Sequence, residues 1–288
     1  MTLRTILVPI RGDGKGEGVL DHALAVARRF NAHISVVHCR PRPEDMLPFG
    51  VYAPTSFRRQ ITASATALAD DEEGRVKALF TDYCARHDLT VVEHNLAAPR
   101  DRPSASWSEA TGKQAAVVAV RGRLADAIAV AQPDRDANLG VNTLEAALLQ
   151  TGRLVLLCPK TPVADLGRHV AIGWNGSSEA ALAVTAALPI LLAADQVTVL
   201  AAMTGRKPDL GPEELQGYLA SHDCRAGIKS FEARATEVGQ GLLAAAKEAG
   251  ADVMLIGAYG QTRRRELVMG GVTQYIIDHT DLPVLMIH

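Results

Sequence analysis

The chain has 288 residues, 48% of them hydrophobic and 22% charged, which is enough apolar content to bury a core and too much for a disordered chain. Its net charge of -2 lacks the positive footprint that a nucleic-acid or anionic-membrane partner leaves. Aromatic residues make up only 4%, and the apolar remainder, rich in alanine, valine and leucine, suits helices packed on a buried parallel sheet.

In chain order, Met1-Thr2-Leu3-Arg4-Thr5 leads at once into a strand-like run without the apolar region of a signal peptide. No later stretch approaches the roughly eighteen apolar residues of a membrane span, so the expected location is cytoplasmic. Thr5-Ile6-Leu7-Val8-Pro9-Ile10 reads as a strand that ends in the turn Arg11-Gly12-Asp13-Gly14. Val19, Leu20, Ala23, Leu24, Ala27 and Phe30 then recur on one helical face, and residues 33–39 form a second strand. Pro41, Pro43, Pro48 and Pro54 mark residues 40–57 as a surface excursion before a long helix over 58–87. The run Asp70-Asp71-Glu72-Glu73 in that helix reads as a solvated face. Residues 97–114, broken by Pro99, Pro103 and Gly112, leave room for a short helix at about 104–111. The apolar run 115–120 reads as the next strand, 144–151 as a helix, and 154–159 as the strand that closes this half. Residues 160–168, with Thr161-Pro162 and Gly167, form the natural linker.

The order then repeats at an offset of about 165 residues. Val170-Ala171-Ile172-Gly173-Trp174 leads into the turn Asn175-Gly176-Ser177-Ser178, a helix over 179–192 and a strand over 196–202. A helix over 237–249, a strand over 252–257, a helix over 272–280 and a strand over 282–287 complete it. Short apolar strands alternating with amphipathic helices predict an α/β fold of two tandem, doubly wound parallel sheets of Rossmann-like type, with domains at 1–160 and 168–288.

Open parallel sheets bind ligands beyond the carboxyl ends of their strands, where the strand order reverses. The sequence there is most informative between Gly257 and Thr273. It leaves a strand, passes Gly260 and three consecutive arginines (Arg263, Arg264, Arg265), and enters a helix through Gly270 and Gly271. Glycines admit close backbone approach, and a helix N-terminus offers unpaired N–H groups with partial positive charge, so the stretch is a candidate phosphate cradle, with Val272 and Thr273 in its first turn. Other chemistry finds little support. Cys39, Cys84, Cys158 and Cys224 are scattered and read as buried free thiols. The nine histidines show no metal-ligand spacing, and His22 and His87 read as helix-surface residues. Ser177 and Ser178 read as helix N-caps, and no Walker loop is present.

The spacing of Gly257, Gly260 and Gly270, together with the flanking strands and the Asn175-Gly176-Ser177 turn, resembles the nucleotide-binding loop of the ATP-binding universal stress proteins. The resemblance covers nearly all of 168–288 and, more loosely, 4–160. It implies a tandem of two adenine nucleotide alpha-hydrolase-like domains that acts in stress responses by binding, not turnover. The implied ligand is ATP or AMP, with Mg2+ as an optional companion, read partly by backbone near Ala202 and held around Gly173, Asn175, Gly257, Gly260, Gly270, Gly271, Val272 and Thr273. It further implies that Leu154-Val155-Leu156-Leu157 and Val284-Leu285-Met286-Ile287 pair as an internal pseudo-dimer. A protein partner and a homodimer of chains are further expectations. Two positions depart from the family pattern: Gly271 stands where ATP binders carry Ser or Thr, and Asn175 stands where they carry Asp. In the first half, Arg11 takes the place of that acid and the glycine spacing is missing, so that half is expected to be a structural partner. The alternatives are an interaction protein with both clefts empty and an adenylating or slow ATP-hydrolysing enzyme dependent on Ser177 or Asp252.

Overall fold

The computed structural model describes residues 2–40, 42, 55–94, 96–134, 140–161, 164–205, 209–260 and 271–288, and the side chains of these except at 55–63 and 65. The proline-rich excursion lies almost wholly outside them. In the first half the elements are β1 (Thr5–Ile10), α1 (Gly16–Phe30), β2 (His33–Arg40), α2 (Thr55–Arg86), β3 (Thr90–Val91), β4 (Ser104–Thr111), α3 (Gln114–Arg121), β5 (Ala127–Ala131), α4 (Val141–Gln150) and β6 (Leu154–Cys158). In the second half they are β7 (His169–Trp174), α5 (Ser178–Ala193), β8 (Gln196–Met203), α6 (Pro212–Ala220), β9 (Ala226–Glu232), α7 (Val238–Ala249), β10 (Val253–Gly257), α8 (Gly271–His279) and β11 (Val284–Ile287).

Among the described residues, eleven strands join one sheet in the order β3-β4-β2-β1-β5-β6-β11-β10-β7-β8-β9. Within each half every pairing is parallel, and the order reverses between the first strand and the fourth long one, at β1/β5 and β7/β10. The halves meet through the sheet's antiparallel pairing of β6 with β11, where Leu285 faces Leu156 and Met286 faces Val155. Side chains alternate across this seam. Leu156 and Leu285 enter the core under α1, α2, α5 and α6, while Val155 and Met286 enter the core under α3, α4, α7 and α8. Both cores therefore run through the boundary between halves, and α5 packs on β6 of the other half.

Two first-half elements exchange identities relative to expectation. Residues 115–120, expected as a strand, lie within helix α3, and the strand is β5, six residues after α3 ends. The valines at 117, 118 and 120 imitate a strand by composition, but only Val118 and Ala119 of this helix are buried, a one-sided pattern that a fully buried strand would not show. Conversely, the stretch expected as a short helix at 104–111 is strand β4. One face sends Ala105 into the core with Trp107 packed against it, and the other is built from serines, which hydrogen bonds satisfy: the two ring nitrogens of His33 sit 2.9 Å from Ser104 Oγ and Ser106 Oγ, and Ser108 Oγ donates to the Val36 carbonyl at 3.0 Å.

His22, expected on a helix surface, is 1% exposed and packs inside, with Nδ1 2.6 Å from the Gly18 carbonyl. Burial holds its pKa below the usual imidazole range. The four cysteines are free and buried, and burial raises Cys39 and Cys84 to about 11. No helix among the described residues is long and apolar enough to cross a membrane.

Candidate functional site

At the carboxyl edge of the second-half sheet, the switch between β7 and β10 opens a cleft of about 950 Å3. Its apolar floor comes from Ala201, Val238, Leu242 and Ile256, and its rim carries Asn175, Ser177, Glu179, Asp209 and Glu213. This volume matches an ordinary small-molecule site. Gly173, Asn175, Ala202, Gly257, Gly260, Gly271, Val272 and Thr273 all line this one cleft. Gly270 and the arginines at 263–265 lie outside the described residues.

The glycines do different jobs. A Cβ on Gly257 would come within 2.4 Å of the Ala180 nitrogen and the Glu179 carbonyl carbon, so this glycine lets the end of β10 touch the first turn of α5. Its requirement is set by backbone packing. A Cβ on Gly260 would lie 2.8 Å from Glu179 Oε2 and 3.3 Å from Ser177 Oγ. A Cβ on Gly271, by contrast, would meet nothing within 4 Å among the described residues at the start of α8. Between Gly257 and Gly260, Tyr259 adopts φ 62, a left-handed backbone uncommon for a non-glycine residue, and its N–H donates to Thr273 Oγ1 at 3.3 Å. Thr273 is buried, and by accepting this bond it braces the loop.

The β7–α5 turn is held by its own side chains. Asn175 Oδ1 accepts from the Ser177 N–H at 3.0 Å, and Ser177 Oγ caps α5 by accepting from the Ala180 N–H at 3.2 Å. Both oxygens are thus engaged as acceptors in the turn. Ser178 Oγ donates to Glu179 Oε2 at 3.0 Å, which places that carboxylate at the amino end of α5.

Asp252 belongs elsewhere. It sits at the amino end of β10, where its carboxylate accepts from the backbone N–H groups of Gly167, Arg168 and His169 at 2.7–2.9 Å. Asp126 does the same for Arg4 and Thr5 in the first half, at 2.7 and 2.9 Å. These carboxylates tie the entry of each first strand, across the sheet from the cleft, and Asp252 has no path to Ser177.

The corresponding first-half crevice holds only about 30 Å3. Lys15, which takes the place of Glu179, donates from Nζ to the Gln132 carbonyl at 3.0 Å and bridges the mouth. Helix α2 supplies the rest, and its acidic run is not merely solvated: Glu72 Oε1 accepts from the Gly12 N–H at 2.9 Å, while Arg40 pairs with Asp70 at 2.5 Å and Glu73 at 3.4 Å. Sequence reading missed these closures because each partner lies thirty or more residues away.

Comparison with known proteins agrees with this geometry. The Universal stress protein family matches residues 167–288. A universal stress protein from Archaeoglobus fulgidus shares the fold over 98% of this chain and 97% of its own, with a TM-score of 0.67 at 11% identity. A functionally unknown protein from Pseudomonas aeruginosa does so over 99% and 92%, with a TM-score of 0.53 at 16% identity. No curated protein matches the chain. Residues 167–288 thus match the Universal stress protein family, and they are joined edge to edge to a first half of the same strand order.

Proposed function

We propose that this chain acts as a stress-response binding protein that takes an adenine nucleotide, ATP or AMP, in the second-half cleft. The observation that carries this reading is the cleft itself: a volume of about 950 Å3 with an apolar floor at Val238, Leu242 and Ile256, and a glycine rim at Gly260 and Gly271 beside a helix start. The floor suits a purine ring, the backbone at Ala202 that lines the cleft suits its edge, and the glycine rim suits a ribose phosphate. Function would follow from occupancy: a ligand spanning the β7 and β10 edges changes the surface offered to a protein partner, without turnover. Of the two hydroxyls in the turn, Ser177 Oγ serves as the helix cap and Ser178 Oγ donates to Glu179 Oε2, so both are engaged in holding the turn.

The test is isothermal titration of ligand-stripped protein with AMP, ADP and ATP, repeated on Gly260→Val. One site per chain that is lost in the variant is the expected result. Equal affinity in Gly260→Val overturns the placement, and no binding to the parent protein leaves an interaction protein with both clefts empty as the better reading.

A further inference from the structure

The described lining of the large cleft contains no lysine, arginine or histidine, but it carries three carboxylates, Glu179, Asp209 and Glu213. Glu179 is the one that stands at the glycine rim. Its Oε2 is fixed by Ser178 Oγ at 3.0 Å and lies 2.8 Å from where a Cβ of Gly260 would project. It also complements the positive end of α5, which a bound anion would otherwise do. The matching first-half position is Lys15, and there the side chain bridges the two edges of the crevice.

We propose, resting on the nucleotide reading above, that Glu179 sets the charge class of the ligand, so that the cleft selects a nucleoside or its monophosphate over the triphosphate. The reason is electrostatic: each added phosphoryl group brings negative charge into a recess that already holds a fixed, half-buried carboxylate, and like charges repel. Asp209 and Glu213 stand on the exposed rim, where solvent screens them, and contribute less.

The experiment is titration of the full chain, in EDTA so that no divalent cation masks the phosphates, with adenosine, AMP and ATP. It compares the parent protein, Glu179→Gln and Glu213→Gln, with thermal melts to establish that each variant folds. The parent should bind adenosine or AMP more tightly than ATP. Glu179→Gln should tighten ATP by about tenfold and change adenosine by less than about twofold, and added salt should narrow the parent's preference. Binding in which Glu179→Gln leaves the ranking unchanged, or in which Glu213→Gln gains as much for ATP, overturns the charge selection while leaving the nucleotide site standing. Binding of none of the three ligands by any of the proteins overturns both.

Discussion

The two halves of this molecule share strand order, crossover helices and even the aspartate that ties the first strand at its amino end, yet one switch point is closed and the other open. The difference lies in a few side chains and one helix. In the first half, the long helix α2 brings Glu72 onto the β1–α1 turn, and Lys15 reaches across to the β5 edge. In the second half, α6 is nine residues long, and the matching residue, Glu179, lies beside Gly260 without bridging the mouth. A doubly wound sheet supplies a crevice wherever its order reverses, but whether the crevice stays open is decided by what the neighbouring loops insert into it.

Substitutions can break this comparison at several levels. The largest effect is expected at the seam that both halves share. Leu156→Ala removes a side chain 1% exposed that faces Leu285, and should cost about 2–5 kcal/mol in denaturant unfolding. Because both cores cross the seam, the two halves should lose stability together in a single transition, and two separated transitions would show that they fold independently.

Gly257→Ala should come next, with a loss of about 1–3 kcal/mol, because its Cβ meets the α5 backbone. The first half already carries Ala131 at the matching end of β5, so Ala131→Gly should cost no more than about 1 kcal/mol. Equal losses at the two positions would show that the strand-to-helix contact does not distinguish the halves.

A pH series sharpens the contrast further. Burial lowers the pKa of His22 and of His33, for which nearby His94 adds to the effect, and both belong to the first half. A base held below its unfolded value is neutral in the fold and takes up its proton on unfolding. Stability should therefore be intact above the ordinary value of 6.5 and fall as the pH drops below it. Denaturant midpoints at pH 7.5 and 5.5 check this, and His22→Leu should flatten the slope. An unchanged slope would place the proton uptake elsewhere.

The smallest effect is expected at Gly271, where a side chain meets nothing within 4 Å among the described residues. Gly271→Ser would place a hydroxyl at the start of α8, leave the melting temperature nearly unchanged and tighten AMP by about fivefold, the value of one added hydrogen bond. No gain in titration would show that the phosphate does not reach this end of the rim.

Some of this was legible in the residues alone. Strands such as Thr5–Ile10 are continuous apolar runs bounded by glycine turns, and the repeat of that pattern 164 positions on, at His169–Trp174, follows from the parallel sheet's need to be buried on both faces. The N-cap role of Ser177 was equally local. The first-half strand β5 was missed because α3 is rich in valine, although the pairs Ala125-Asp126 and Ala251-Asp252, each followed by an aliphatic run, marked the true correspondence. Strand β4 was not legible because one of its buried faces is serine, a choice that makes sense only once His33 of the neighbouring strand stands opposite.

By itself, then, the sequence determined the α/β class, the alternation of strands and helices in the second half, the closing strands and the residues gathered at the second-half switch point, since periodicity and turn chemistry act over a few residues. Only the tertiary structure decided that the first crevice is shut, that Gly257 serves helix packing, that Asp252 is a backbone tie and that Glu179 stands at Gly260. Each of those depends on side chains brought together from far apart in the chain, and no local pattern encodes such contacts.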